Sequence, residues 1–174
     1  MSTLTALRHK LILQIPAALV TLGLMWLFPY VVHLIPVSGP VPLGARLLPI
    51  FYAPLLAAWL FNPIVGIASG LLMPFINNAF LGMPTLEVAV MMSIELIVFS
   101  IILLAFKKSW SRLPVLAPLA VIVGKTVSAL LLFIFPLIQI SPWAYLTSSV
   151  INAIPGLLIL TALNLALIRL PHER

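Results

Sequence analysis

VMMSIELIVFSIILL, residues 90–104, is fifteen residues long and carries one charge, at Glu95. Its nearest polar neighbour is Ser93. A run this apolar is either the core of a large soluble protein or a membrane segment, and composition separates the two. The chain has 174 residues, of which 63% are hydrophobic and only 7% charged. A soluble domain carries about 25% charged residues to cover its surface. This chain cannot cover itself in water, and a bilayer is the solvent it suits. A carboxylate at membrane depth is costly unless it is paired or protonated, so Glu95 calls for a partner.

The same apolar texture divides the chain into six spans, at about 11–36, 46–61, 64–82, 88–106, 115–138 and 143–169. The predicted fold is an all-α membrane protein, a six-transmembrane-helix bundle forming one integral membrane domain over residues 1–174. VSGPVPLGA (37–45), Asn62-Pro63, LGMPTLE (81–87), KKSWSRLP (107–114) and QISP (139–142) are the turn-rich breaks. The first span is too long for a removable signal peptide and lacks its small-residue cleavage site.

Lysine and arginine placement sets the orientation. With six spans, Arg8, Lys10, Lys107, Lys108, Arg112, Arg169 and Arg174 fall on one side, and Arg46 alone on the other. By the positive-inside rule the N- and C-termini are cytoplasmic, and the chain is a multi-pass protein of the cell's inner (cytoplasmic) membrane. The formal charge of +6 is therefore a mark of topology and not of nucleic-acid binding.

Several chemistries are disfavoured. The chain has no cysteine, so it has no disulfide, thiolate metal site or cysteine nucleophile. His9, His33 and His172 are far apart, with no metal-ligand spacing. Ser93, Ser100 and Ser128 lack an adjacent base, and the methionines suit core packing better than a cofactor. There is no glycine loop for a nucleotide phosphate. Neither an enzyme nor a cofactor is expected. Gly66 and Gly70, in GIASG, have the spacing that lets helices approach closely.

What remains is a set of polar groups at membrane depth: Asn77, Asn78, Glu95, Lys125 and Asn152. At about 1.5 Å per residue, Glu95 and Asn152 lie roughly 12–13 Å below the outer ends of their helices. Asn77 and Asn78 lie one to two turns below theirs. Glu95 and Lys125 are open to two readings, a buried ion pair locking spans four and five or contacts to a polar ligand. Trp143 and Tyr145, at the outer start of span six, read as an interfacial belt or as the mouth of a cavity.

FNPIVGIASGLLMPFINNAFLGMP (61–84), followed by an acidic residue in span four, resembles the substrate-binding S components of energy-coupling factor vitamin transporters. SSVINAIPGLLI (148–159) and FPYVVHLIP (28–36) are similar to stretches of the same group. The resemblance covers most of the chain. It implies a six-helix bundle with an outward pocket closed by loops 37–45 and 81–87. It also implies a transmembrane coupling protein and two ATPase subunits as partners, with uptake of a small water-soluble vitamin. Many members carry A-x-x-x-A in span one for docking, where this chain has Ala17-x-x-x-Thr21. Lys125 and Arg46 could neutralise a carboxylate while Asn77, Asn78, Glu95 and Asn152 bond hydroxyl or amide groups, a combination that pantothenate presents. A solitary small-molecule transporter and a non-transporting membrane assembly protein are the alternatives.

Overall fold

Backbone polar groups in lipid must bond within their own segment, which favours helices for a chain this apolar. The computed structural model describes residues 3–35, 41–61 and 63–170, and no strand occurs among them. In chain order the helices are α1 (Thr3–His33), α2 (Leu43–Leu47), α3 (Tyr52–Leu60), α4 (Pro63–Leu81), α5 (Leu86–Ala105), α6 (Leu116–Leu131), α7 (Pro142–Asn152) and α8 (Ile154–Arg169). Short 3₁₀ turns cover Pro49–Phe51 and Lys107–Arg112. Residues 37–40 of the first loop, Asn62, His172 and Arg174 lie outside the described residues.

Among the described residues, three stretches are long and apolar enough to cross a membrane: Ile15–Val32, Pro63–Leu81 and Leu86–Ala105. The α7–α8 pair makes a fourth if its two parts, bent by 57°, count as one span. Large apolar side chains such as Phe80 and Ile134 lie open on the surface, as a lipid-facing exterior requires.

Spans three and four of the sequence reading correspond closely to α4 and α5. Spans two, five and six depart from single continuous helices, and proline accounts for the breaks in two and six. The stretch 46–61 is interrupted at Leu48, whose φ of 54° is left-handed. Pro49 follows, and the ring of a proline disfavours the helical region for the residue before it. Only Pro49–Leu60 continues as an apolar helix, and it is shorter than a full span. The fifth stretch ends as a helix at Leu131, and residues 132–141, with Pro136 in their middle, are irregular. The sixth bends at Ala153, because Pro155 has no N–H to offer the preceding turn and its ring crowds the carbonyl there.

Packing runs as a chain of neighbours: α1 against α3 and α4, α4 against α5, α5 against α6, and α6 against α7 and α8. Small residues set the closest approaches. Gly66 lies against Ser100, and Gly70 against Leu96, where an added Cβ would meet the leucine Cβ at 2.7 Å. The GIASG stretch is thus the α4 face packed on α5. Ala17 and Thr21 are buried, with Ala17 clustered on Ala57 and Val65. The small face of α1 is therefore used inside the bundle.

The end carrying residues 107–114 is tied by one side chain. Trp110 is only 2% exposed, and its ring meets Trp59 edge-on at 5.3 Å. Its Nε1–H donates to Asn164 Oδ1 at 2.6 Å. Asn164 Nδ2 donates in turn to the carbonyls of Leu113 and Pro114, at 3.2 and 2.7 Å. Three elements are joined by one satisfied polar network.

Candidate functional site

Glu95 sits midway along α5 and is 3% exposed. Its placement depends on Gly124 of α6. A Cβ there would lie 2.9 Å from the Glu95 carbonyl oxygen and 3.3 Å from its Cα, so only glycine allows the two backbones this close. The next residue, Lys125, then reaches the carboxylate, with Nζ 3.2 Å from Oε2. One turn further, Ser128 Oγ donates to the Met91 carbonyl at 3.4 Å and keeps the two helices in register.

The second carboxylate oxygen is also occupied. The Tyr145 hydroxyl, from α7, donates to Glu95 Oε1. A carboxylate is thus held by an ammonium from one helix and a phenol from another, and each oxygen has a donor. That meets the condition under which a buried pair is tolerated. The expected interfacial belt at the start of span six is divided: Trp143 is 68% exposed, whereas Tyr145 turns inward to the acid. Sequence reasoning left Tyr145 between an interface belt and the mouth of a cavity and did not find its bond to Glu95. A tyrosine two residues from a tryptophan at a span end carries the signal of an interface anchor.

α7 has no fully buried residue. Its half-buried face mixes apolar Leu146 and Val150 with Tyr145, Ser149 and Asn152, whose spacing of four and three residues puts these polar groups on one stripe of the helix. Since Tyr145 bonds Glu95, this stripe faces the bundle. The result is a polar seam between α5, α6 and α7: Glu95 and Lys125 at its base, Ser149 and Asn152 leading from Tyr145 to the bend. α2 packs on α7 and α8 beside that bend, where Gly156 lets the Leu47 backbone come close. Arg46 is exposed in the last turn of α2, and the Tyr52 hydroxyl bonds the Leu47 carbonyl to hold that turn.

The six residues singled out by sequence divide as follows. Glu95 and Lys125 form the ion pair, and Asn152 and Arg46 lie on elements flanking the seam. Asn77 and Asn78 belong to another part of the bundle. Asn77 is 4% exposed and continues the Gly66–Gly70 face of α4, with its Oδ1 lacking a hydrogen-bond partner. Asn78 Nδ2 donates to the Pro84 carbonyl at 2.7 Å, which ties α4 to the following loop. The expected gathering of Asn77, Asn78, Glu95 and Asn152 from spans three, four and six is thus split, with Asn77 and Asn78 on α4 and Asn152 on α7.

A separate cleft of about 430 Å³ lies between α1 and α4, lined by Leu22, Trp26, Met73, Ile76, Phe80 and Leu81. Its walls offer almost no hydrogen-bonding group, so it does not suit a water-soluble ligand. The polar seam is the candidate site. Comparison with protein-family models, curated proteins and solved structures gives no match for this chain.

Proposed function

We propose that the chain is the membrane-embedded substrate-binding subunit of an energy-coupling-factor type transporter for a small water-soluble vitamin or precursor. In this reading it crosses the membrane six times with both termini cytoplasmic, and α7 lies over the binding site from the outer side. The observation that carries the proposal is the seam itself, a buried carboxylate and ammonium beside a helix whose inner face carries Tyr145, Ser149 and Asn152. Intramembrane charges of this kind face a partner or a wet cavity and mark substrate paths.

The chemistry selects the ligand. A ligand hydroxyl or amide N–H can replace the Tyr145 hydroxyl on Glu95, and a ligand carboxylate can take Lys125 as its counter-ion. Ser149 and Asn152 supply further hydrogen bonds along the seam. Pantothenate combines a carboxylate, hydroxyls and an amide, and is the first candidate. With no phosphate-binding loop of its own, the subunit takes its energy from a transmembrane coupling protein and two ATPases.

The test is to purify the chain in mild detergent and identify any copurifying small molecule by mass spectrometry. Titration of the stripped protein, followed by tryptophan fluorescence, then measures affinity. Asn152→Ala removes one hydrogen bond from a desolvated ligand and is expected to cost about 1–3 kcal/mol. That is a loss of roughly tenfold to a hundredfold in affinity. Unchanged affinity in Asn152→Ala, Ser149→Ala and Tyr145→Phe would place the ligand elsewhere. A preparation that never holds or binds a small polar molecule would favour the assembly-protein alternative.

A second reading, a solitary transporter, is favoured by the burial of Ala17 and Thr21, which leaves the small face of α1 closed to a docking partner. Affinity isolation of the chain from native membranes separates the two readings, since only the first brings ATPase subunits with it.

A further inference from the structure

The six residues KKSWSR (107–112) form a 3₁₀ turn at the end of α5 in which Trp110 is buried and the other five are exposed. A 3₁₀ helix has about three residues per turn, so side chains three apart eclipse. Lys108 and Ser111 then share one face and Ser109 and Arg112 another, while Lys107, itself exposed, shares the third with the buried Trp110. Each outward face pairs a cation with a hydroxyl. The anchor makes the turn a fixed platform: Trp110 is bonded to Asn164, and Asn164 holds the two carbonyls that follow the turn.

None of Lys107, Lys108 and Arg112 has an ion-pair partner among the described residues. The carboxylates of α5, Glu87 and Glu95, lie at its start and middle, away from this end. Phe106 and Val115, on either side of the platform, are exposed apolar side chains. On the membrane arrangement proposed above, on which this inference rests, the patch sits where the hydrocarbon region gives way to headgroups, and Arg169, in the last turn of α8, lies at the same end.

We propose that the 107–112 platform is a binding site for the phosphate group of an anionic phospholipid, held by Lys107, Lys108 and Arg112 with the Ser109 and Ser111 hydroxyls. Charge complementarity and position select the occupant. The turn exposes only cations and hydroxyls, and the Trp110–Asn164 hydrogen bonds hold it in place without any ligand. Trp110 is a positioning residue, acting through Asn164.

Native mass spectrometry of the full chain, given phosphatidylglycerol and phosphatidylcholine in equal amounts, tests it. The expected result is preferential retention of phosphatidylglycerol. A variant with Lys107→Gln, Lys108→Gln and Arg112→Gln should lose that preference by about fivefold per cation, on the order of a hundredfold in all. These side chains are exposed, so folding is expected to persist. Lys107→Arg with Lys108→Arg should keep the preference. Trp110→Phe retains every cation but releases the platform, and should weaken it several-fold. Equal retention of the two lipids by the unmodified chain overturns the proposal, as does undiminished preference in the triple glutamine variant. Displacement of the lipid by millimolar inorganic phosphate would identify a free-anion site, and stronger binding of polyglutamate would identify an acidic protein partner. Either result also overturns the lipid assignment.

Discussion

Glu95 holds two donors from different helices, and substitutions can separate their contributions. Glu95→Gln keeps the shape of the side chain but strands the Lys125 ammonium among apolar neighbours, an expected cost of about 3–5 kcal/mol. Replacing both, as Glu95→Gln with Lys125→Met, removes the stranded charge and should restore much of the loss. Tyr145→Phe leaves one carboxylate oxygen without its donor and should cost about 1–3 kcal/mol. Thermal unfolding of the four proteins in one detergent measures all three effects. A double variant no more stable than Glu95→Gln alone would mean that the two residues do not act as a pair. Glu95 was legible as a buried acid needing a partner, because one charge in an apolar run is visible locally. Tyr145 was not legible, because it lies fifty residues away and reaches the acid only after α7 folds back over α6.

Between elements, glycine decides how close the helices come. Gly124→Ala would set a methyl group 2.9 Å from the Glu95 carbonyl oxygen, and a backbone atom cannot swing aside. Moving α5 and α6 apart is expected to cost about 1–3 kcal/mol, as other overpacked contacts do. The ion pair would lengthen with it. Gly23 in α1 is the control, since nothing lies within 4 Å of the position its Cβ would take. Gly23→Ala should be stabilising by about 0.5–1 kcal/mol through helix propensity alone. Comparing the two melting temperatures checks both expectations, and similar shifts in the two variants would contradict the close α5–α6 approach.

For the molecule as a whole, the decisive measurement is sidedness. The chain has no cysteine, so single cysteines report without background. Ser109 and Thr85 are exposed and lie beyond opposite ends of α5. Ser109→Cys should react with an impermeant maleimide only from the cytoplasmic side, and Thr85→Cys only from the outside. Reaction of both from one side would refute the proposed arrangement.

The membrane as solvent, the helical class and the isolation of Glu95 follow from the sequence alone, because hydropathy and proline-glycine punctuation act over a few residues. The close seam of α4 on α5 was readable for the same reason, from the spacing of Gly66 and Gly70. Only the tertiary structure decided which polar groups meet. Asn77 and Glu95 lie on different helices and do not meet, while Tyr145, readable from sequence as an interface anchor or a cavity mouth, bonds Glu95. The bend at Ala153 turned the stripe of Tyr145, Ser149 and Asn152 toward α6, and the close approach at Gly124 set Lys125 against Glu95. Those outcomes depend on helix rotation and helix separation, and both are set by side chains far apart in the chain.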